Sequence, residues 1–146
     1  MIYVRSLSRV NPEDYDEVWV IVRSWEEPDP AMRHVPELSP SWELLQKYLT
    51  LREHGAWNYE AFMTEYVPRF LREFRENAAV TEPLLTEICE ISGAGKDICL
   101  ACFCEDETIC HRSIVAGFLQ DKGMQVQTET GNDYRELVKP GRCETI

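Results

Sequence analysis

The sequence is poor in positive charge and has no long hydrophobic run. Its 15 Lys and Arg residues are outnumbered by 26 Asp and Glu residues, and the formal net charge is −11. This balance opposes nonspecific binding to nucleic acid or to an anionic membrane surface. No apolar stretch approaches the roughly 20 residues that a membrane-spanning helix needs. No basic segment followed by an apolar one marks a secretory signal either. We therefore expect a cytoplasmic protein with no membrane partner.

The chain also lacks the setting in which cysteines usually form a disulfide framework. It has six cysteines, and without an export signal these favour reduced thiols, a metal site or a catalytic thiol over disulfides. Four of the six lie within residues 98–118, with one of the three histidines. This short stretch is therefore where we expect the chemistry of the protein to lie.

The order of hydrophobic patterns predicts an α/β fold. Runs of apolar, β-branched and aromatic residues predict strands at 2–8, 18–22, 97–104 and 124–128. Helical spacing predicts helices at 40–53, 59–74, 81–93 and 109–121. The strand–helix–strand order of residues 97–128 favours a right-handed crossover between parallel strands. We expect a single three-layer domain over residues 1–146, with a mostly parallel sheet flanked by helices.

Several boundaries follow from prolines and capping residues. Ser39 followed by Pro40 predicts a helix start, and Thr81 is a candidate cap for a later helix. Pro68 should kink or divide the second helix near Tyr66, because proline lacks the backbone N–H. The proline-rich residues 26–40 predict an irregular loop, and residues 131–146 a turn-rich tail. No internal repeat or second domain is evident.

The predicted strand at 97–104 separates its cysteines by face. Alternation places Cys102 and Cys104 on one face and Cys99 on the other. We interpret Cys99 and Cys102 as packing residues, because free cysteine behaves as a small hydrophobe. Cys104 lies at the end of the strand, where parallel sheets bind their ligands. It is therefore a candidate nucleophile.

The helix that follows opens with a second set of reactive side chains. With Asp106 or Thr108 as the N-cap, Cys110 and His111 would lie in its first turn. A helix N-terminus favours both a thiolate and a bound anion. We therefore expect a nucleophile and proton-transfer groups here, together with residues that bind an anion. The candidate catalytic residues are Cys104, Cys110, His111 and Glu105, and the candidate anion-binding residues are Arg112 and Ser113.

This pattern resembles a known family signature. Leu100-Ala101-Cys102-Phe103-Cys104-Glu105, an acidic loop and then Cys110-His111-Arg112-Ser113 are similar to the signature of domain-of-unknown-function family 488 (DUF488). Its members typically show a strand ending in cysteine and glutamate, a loop, and Cys-His-Arg opening a helix. Val22-Arg23-Ser24-Trp25 is similar to the family's early strand. The resemblance implies a functional Cys-His-Arg cluster, and it adds Arg23 and Trp25 as candidate substrate-binding residues.

Three functional hypotheses stay open at this point. The preferred one is a small enzyme or ligand-binding domain for an anionic ligand, such as a phosphate or nucleotide-like molecule, with no cofactor. The second is a metal-binding module, with zinc as the metal and Cys102, Cys104, Cys110 and His111 as ligands. The third is a noncatalytic structural or interaction domain. The sequence decides neither the reaction nor the oligomeric state.

Overall fold

A five-stranded parallel sheet forms the centre of the protein in the computed structural model, which describes residues 1–142. The strands pair in the order β3-β2-β4-β1-β5, and every neighbouring pair is parallel. Their bounds are β1 (Ile2–Ser6), β2 (Glu17–Val20), β3 (Arg33–His34), β4 (Ile98–Cys102) and β5 (Val126–Gln127). The predicted α/β class with a parallel sheet is confirmed.

Five α-helices accompany the sheet, and four of them lie between β3 and β4 in the chain. Their bounds are α1 (Trp42–Glu53), α2 (Tyr59–Ala61), α3 (Val67–Glu76), α4 (Ala78–Gly93) and α5 (His111–Asp121). A π-helical segment, Phe62–Tyr66, joins α2 to α3. The expected division near Tyr66 is thus present, just before Pro68 in the first turn of α3. No helix within residues 1–142 is long and apolar enough to span a membrane.

Two of the predicted helix caps are wrong. Ser41, and not Ser39, caps α1, because its hydroxyl oxygen accepts a hydrogen bond from the backbone N–H of Leu44 at 3.1 Å. Thr81 lies inside α4, which begins three residues earlier, and its buried hydroxyl donates to the carbonyl oxygen of Phe74 at 3.1 Å. A threonine hydroxyl can form a hydrogen bond with the end of a neighbouring helix as well as with the start of its own helix. The sequence alone does not distinguish these two cases.

The loop and the tail contain more structure than the sequence indicates. Within residues 26–40 lie the edge strand β3 and a 3₁₀ turn, Pro36–Leu38. Two further 3₁₀ turns, Arg135–Val138 and Pro140–Arg142, form the described part of the tail. Residues 143–146, the remainder of the predicted tail, lie outside the described residues.

Strand β4 occupies the middle of the sheet, and all five of its residues are buried. The parallel register aligns Ser6 at the end of β1 with Cys102 at the end of β4. Cys99 faces the opposite side of the sheet, where it is within hydrogen-bonding reach of the Tyr15 hydroxyl. A central strand covered on both faces explains why this segment is almost continuously apolar.

The strand order creates a crevice at the carboxyl ends of β2 and β4. These two strands are neighbours, but the chain leaves β2 toward β3 and leaves β4 toward β5, on opposite sides. Ligands in open parallel sheets bind at such reversals, beyond the carboxyl ends of the strands. We therefore expect a ligand site among the residues that immediately follow β2 and β4.

Gly117 in α5 lies against the tail, and we expect Gly117→Ala to destabilise the fold. A Cβ atom at this position would overlap the carbonyl oxygen of Tyr134 and come 3.0 Å from its carbonyl carbon. Overpacking of this kind costs about 1–3 kcal/mol. The measurement is the free energy of unfolding in urea, with Gly93→Ala as the matched control. At Gly93 nothing lies within 4 Å of an added Cβ, so that change should be neutral or slightly stabilising. Equal unfolding midpoints for the two variants would contradict the tight packing.

Candidate functional site

The end of β4 and the start of α5 bring two thiols into contact. Cys102 is the last residue of β4, and Cys110 is the N-cap residue of α5. Their Sγ atoms lie 3.0 Å apart, and both residues are buried. Asp106 caps the 3₁₀ turn Glu107–Ile109 that precedes α5, and not α5 itself as predicted. The loop between the two cysteines thus has a defined conformation.

His111 faces the same cluster and is oriented by the backbone. Its Nε2 lies 2.6 Å from the carbonyl oxygen of Ile21, which can only accept a hydrogen bond. The neutral imidazole therefore carries its hydrogen on Nε2 and leaves Nδ1 with a free lone pair. That Nδ1 lies 3.7 Å from Cys110 Sγ. The ring also packs against Phe70, at 5.9 Å between centroids.

The guanidinium of Arg112 is fully buried and fastens the cluster together. Its Nη1 donates to Cys102 Sγ at 3.2 Å and to the carbonyl oxygen of Cys104 at 2.5 Å. Its Nη2 donates to Glu129 Oε1 at 2.8 Å. The neighbouring Ser113 is also buried, and its hydroxyl donates to the carbonyl oxygen of Cys110 at 2.7 Å. Both predicted anion-binding residues therefore bind groups of the protein itself, although the buried Nε of Arg112 has no hydrogen-bond partner within the described residues.

Glu105 lies outside the thiol cluster, on the surface at the end of β1. Its carboxylate accepts from the Ser8 hydroxyl at 2.9 Å and pairs with Arg9 Nη2 at 2.8 Å. Arg9 also pairs with Glu129, so Glu129 lies between two arginines. The structure thus places Glu105 in a charged network behind Arg112, away from His111 and the thiols.

Glu107 is a buried carboxylate that anchors the segment after β5. It accepts hydrogen bonds from the backbone N–H of Glu129 at 2.9 Å and from the Thr130 hydroxyl at 2.7 Å. The Tyr134 hydroxyl donates to it at 2.7 Å, and this burial and contact raise the pKa of Tyr134 to about 12. Glu107 therefore fixes the position of Glu129, which in turn pairs with Arg112.

The negative charge of the cluster is concentrated on Cys102. Hydrogen bonds with the thiols of Cys104 and Cys110 hold the pKa of Cys102 well below the usual thiol value, helped by His111 and Arg112 and against the opposing effect of burial. The same contact with Cys102 raises the pKa of Cys104 to about 12, and burial raises that of Cys110 well above its usual value. Cys102 is therefore the thiol of this cluster that ionises most easily.

A cavity of about 230 Å³ opens beside the cluster, at the carboxyl ends of β2 and β4. Cys104, Cys110 and His111 line it, whereas Cys102 does not, although its Sγ lies 3.0 Å from that of Cys110. The rest of the lining comes from the ends of β2 and β4 and the segments after them, from α1 and from the residues before α2 and α3. It is mostly apolar and aromatic: Val22, Arg23, Ser24, Pro40, Leu45, Tyr48, Leu49, Arg52, Trp57, Tyr66, Phe103 and Ile109.

The charged side chains that line the cavity are basic. Arg23 and Arg52 line it, and no Asp or Glu of residues 1–142 does. Arg23 also lines a neighbouring cavity, together with Glu37 and Glu73. Arg23 Nε donates to the carbonyl oxygen of Pro40 at 2.9 Å, and Arg52 Nη1 lies 3.5 Å from the Tyr48 hydroxyl. Within residues 1–142 neither arginine has a carboxylate partner. Trp25 lies outside the cavity lining and packs edge-on against His34, at 5.9 Å between ring centroids.

Three of the clustered residues have the composition of a metal site. The ligand atoms of Cys102, Cys110 and His111 all lie within 4.8 Å of one another. Cys104, the fourth residue of the predicted metal set, is not part of this group. Two thiols and one imidazole could hold a metal with one position open.

Sequence reasoning missed several members of this site. It interpreted Cys102 as a packing residue, or as a ligand in the alternative metal set. The last residue of a central strand borders the carboxyl-end crevice, and this was the available signal for another role. Arg9, Arg52 and Glu129 lie 103, 60 and 17 positions from Arg112 in the chain, and no local pattern connects them to it. They are brought in by the pairing of β1 and β5 and by the packing of α1.

We expect Cys102 to ionise at a lower pH than Cys99, Cys104 and Cys110. The ultraviolet absorbance of thiolates, followed from acid to alkaline pH, should show an early step in the native protein, because Cys102 ionises before the other thiols. Cys102→Ser should remove that step. Cys99→Ser is the matched control, since Cys99 lies in the same strand but burial raises its pKa to about 12. Identical profiles for the two variants would show that the charge lies elsewhere.

Glu107→Gln should destabilise the protein, because an amide cannot accept all the hydrogen bonds that the carboxylate accepts. A buried donor left without its partner costs about 1–3 kcal/mol. The free energy of unfolding in urea measures this loss. Glu105→Gln serves as the control, because that side chain is exposed and an exposed ion pair contributes about 0–1 kcal/mol. A loss no larger for Glu107→Gln than for Glu105→Gln would contradict the anchoring role.

The family of the chain is shown by comparison with family models. The model described as "Active DUF488-N3 subclade" matches residues 2–123, from β1 through α5. Neither the search of curated proteins nor the search of solved structures returned a match. The matched range contains the thiol cluster, together with Arg23 and Arg52, and the predicted DUF488 membership is confirmed. The chain belongs to the DUF488 family, in its N3 subclade.

Proposed function

We propose that this protein is a thiol-dependent enzyme that acts on a small anionic ligand bound in the cavity at the carboxyl ends of β2 and β4. The observation that carries the proposal is the contact between Arg112 Nη1 and Cys102 Sγ, at 3.2 Å. A buried guanidinium that donates to sulfur stabilises the thiolate, which is the nucleophilic form of cysteine. A packing cysteine has no need of such a partner.

Each residue of the cluster has a part in this proposal. Cys102 is the nucleophile, and its sulfur forms a bond to an electrophilic atom of the ligand while the bond to the leaving group breaks. The leaving group takes the electrons of that bond together with the proton of Cys110, whose Sγ touches Cys102. A water molecule then releases the ligand: its oxygen bonds to the same ligand atom, and the Cys102 sulfur leaves as the thiolate. The proton of the water passes to Nδ1 of His111, which the carbonyl of Ile21 holds in place, and from there back to Cys110. Because Cys102 is buried and does not line the cavity, the proposal requires the Cys110 side chain to rotate aside.

The anion site of this proposal differs from the one expected at Arg112 and Ser113. Those residues bind Cys102, Glu129 and their own helix turn. Arg23 and Arg52 instead supply positive charge to the cavity, without a carboxylate to neutralise them there. Because the nucleophile must stay reduced, the proposal also places the protein in a reducing compartment such as the cytoplasm.

Zinc binding is the second candidate function, favoured by the grouping of Cys102, Cys110 and His111. The hydrogen bond from His111 Nε2 to a backbone carbonyl is the usual support of a metal-bound imidazole. The two sulfurs, however, are 3.0 Å apart, whereas tetrahedral zinc with bonds of about 2.3 Å holds two sulfurs about 3.8 Å apart. Elemental analysis of protein purified without chelators distinguishes the two: close to one zinc per chain would favour the metal.

Alkylation kinetics test the nucleophile. With iodoacetamide, the alkylation rate of Cys102 should fall clearly less between pH 8.5 and pH 6 than that of an ordinary thiol, because the pKa of Cys102 is lowered. An ordinary thiol loses about 100-fold over the same interval. Peptide mapping by mass spectrometry follows each cysteine separately.

Cys89 is the internal reference for this experiment. It is half-buried on α4, no guanidinium of the described residues donates a hydrogen bond to its sulfur, and burial raises its pKa. Its rate should therefore fall steeply toward pH 6. A Cys102 rate that falls as steeply, or a Cys102 that reacts only after unfolding, would remove it as the nucleophile.

A further inference from the structure

We infer that the ligand of the cavity is a compact molecule with one planar aromatic ring and one anionic group. This inference rests on the proposed function for the location of the site, and it adds the chemical class of the ligand. Tyr48, Trp57 and Tyr66 form one side of the cavity, which we call the aromatic wall, and the ring would lie against it. The anionic group would be held by Arg23 and Arg52.

The aromatic wall is a preassembled surface. Tyr48 and Trp57 meet edge-on at 4.7 Å between ring centroids, and Trp57 meets Tyr66 at 5.5 Å. Phe62 stacks on Tyr66 from behind, at 5.6 Å. Rings that support one another in this way lose little freedom when a further ring packs on them. A flat π system is therefore the natural complement of the wall.

The charge of the cavity selects for an anion. The chain has a net charge of −11, yet two arginines and no carboxylate of residues 1–142 line this cavity. Most other basic side chains of residues 1–142 pair with Asp or Glu, as Arg33 does with Glu87 and Lys122 with Glu82. The guanidinium fork binds carboxylate and phosphate oxygens in pairs. The unpaired forks of Arg23 and Arg52 are therefore suited to either kind of anion.

The size of the cavity restricts the ligand further. Its volume of about 230 Å³ is below the range of about 300–1,000 Å³ that is typical of pockets for drug-sized ligands. One ring system with one anionic substituent fits this space, and a dinucleotide does not. An aromatic carboxylate and a pyrimidine nucleoside monophosphate share the required chemistry, the second with its phosphate at the rim beside the exposed Arg52.

Calorimetric titration with matched probes tests the inference. The two complete probes are 4-hydroxybenzoate and uridine 5′-monophosphate. The incomplete probes are uridine, which has no anion, and inorganic phosphate and acetate, which have no ring. At least one complete probe should bind at least tenfold more tightly than its incomplete counterparts, and which one binds identifies the source of the anion. Equal affinity for the complete and incomplete probes, or no binding of either complete probe, would overturn the inference.

Variants of the lining residues connect the binding to the named side chains. Arg23→Gln with Arg52→Gln should weaken binding of the complete probe at least tenfold, whereas Arg142→Gln, an exposed arginine outside the cavity, should leave it unchanged. Trp57→Leu should weaken binding about tenfold, and Trp42→Leu, at an exposed tryptophan outside the cavity lining, should not. Unchanged binding in both the arginine and the tryptophan variants would place the ligand elsewhere.

Cys102→Ser separates this inference from the proposed function. Binding of the complete probe should be retained in that variant, because Cys102 does not line the cavity. Probe binding combined with an unreactive Cys102 in the native protein would contradict the thiol mechanism and support the inferred ligand class. A reactive Cys102 combined with no probe binding would do the reverse.

Discussion

The burial of the Arg112 guanidinium is the constraint on which the rest of the site depends. Removing a full positive charge from water costs several kcal/mol unless the protein supplies partners. Here the partners come from three places in the chain: the sulfur of Cys102, the carbonyl of Cys104 and the carboxylate of Glu129. The end of β4, the start of α5 and the segment after β5 must therefore assume their positions together. The loop between Cys102 and Cys110 is fixed as a consequence.

The acidic residues near the thiols become intelligible once this charge is considered. Glu105 and Glu129 would oppose a thiolate if they were unpaired, since like charges raise a thiol pKa. Instead Arg9 binds both carboxylates and Arg112 binds Glu129, so two positive charges stand against two negative ones. The ion pairs leave the cavity side of the cluster without a carboxylate. Acidic residues that lie near the thiols in the sequence are thus compatible with a cavity whose charged lining residues are arginines.

The sequence predicts the framework of this protein better than its site. The strand and helix patterns around residues 97–121 are strong, because buried positions recur at regular intervals and are filled by apolar residues. The reactive residues at the end of β4 follow from the same reasoning, since parallel sheets bind ligands there. What sequence could not supply is the pairing of distant charges. Arg112 looks like an anion-binding residue by its chemistry, and only the position of Glu129 shows that it is already occupied.

The same limit explains why only part of the cavity lining was predicted. Cys104, Cys110, His111 and Arg23 were expected at the site, whereas Arg52 and the aromatic residues come from α1 and from the region of α2 and α3, which meet the others only in the folded chain. The π-helical segment Phe62–Tyr66 precedes Pro68 and ends on Tyr66, one of the aromatic wall residues. Such segments are frequent at functional sites, because they shift the side chains that follow relative to a regular helix. Under the proposed function, Arg112 stabilises the Cys102 thiolate, whereas Arg23 and Arg52 bind the ligand. Because these two sets of arginines have different partners, substitutions of Arg23 and Arg52 should leave the reactivity of Cys102 unchanged.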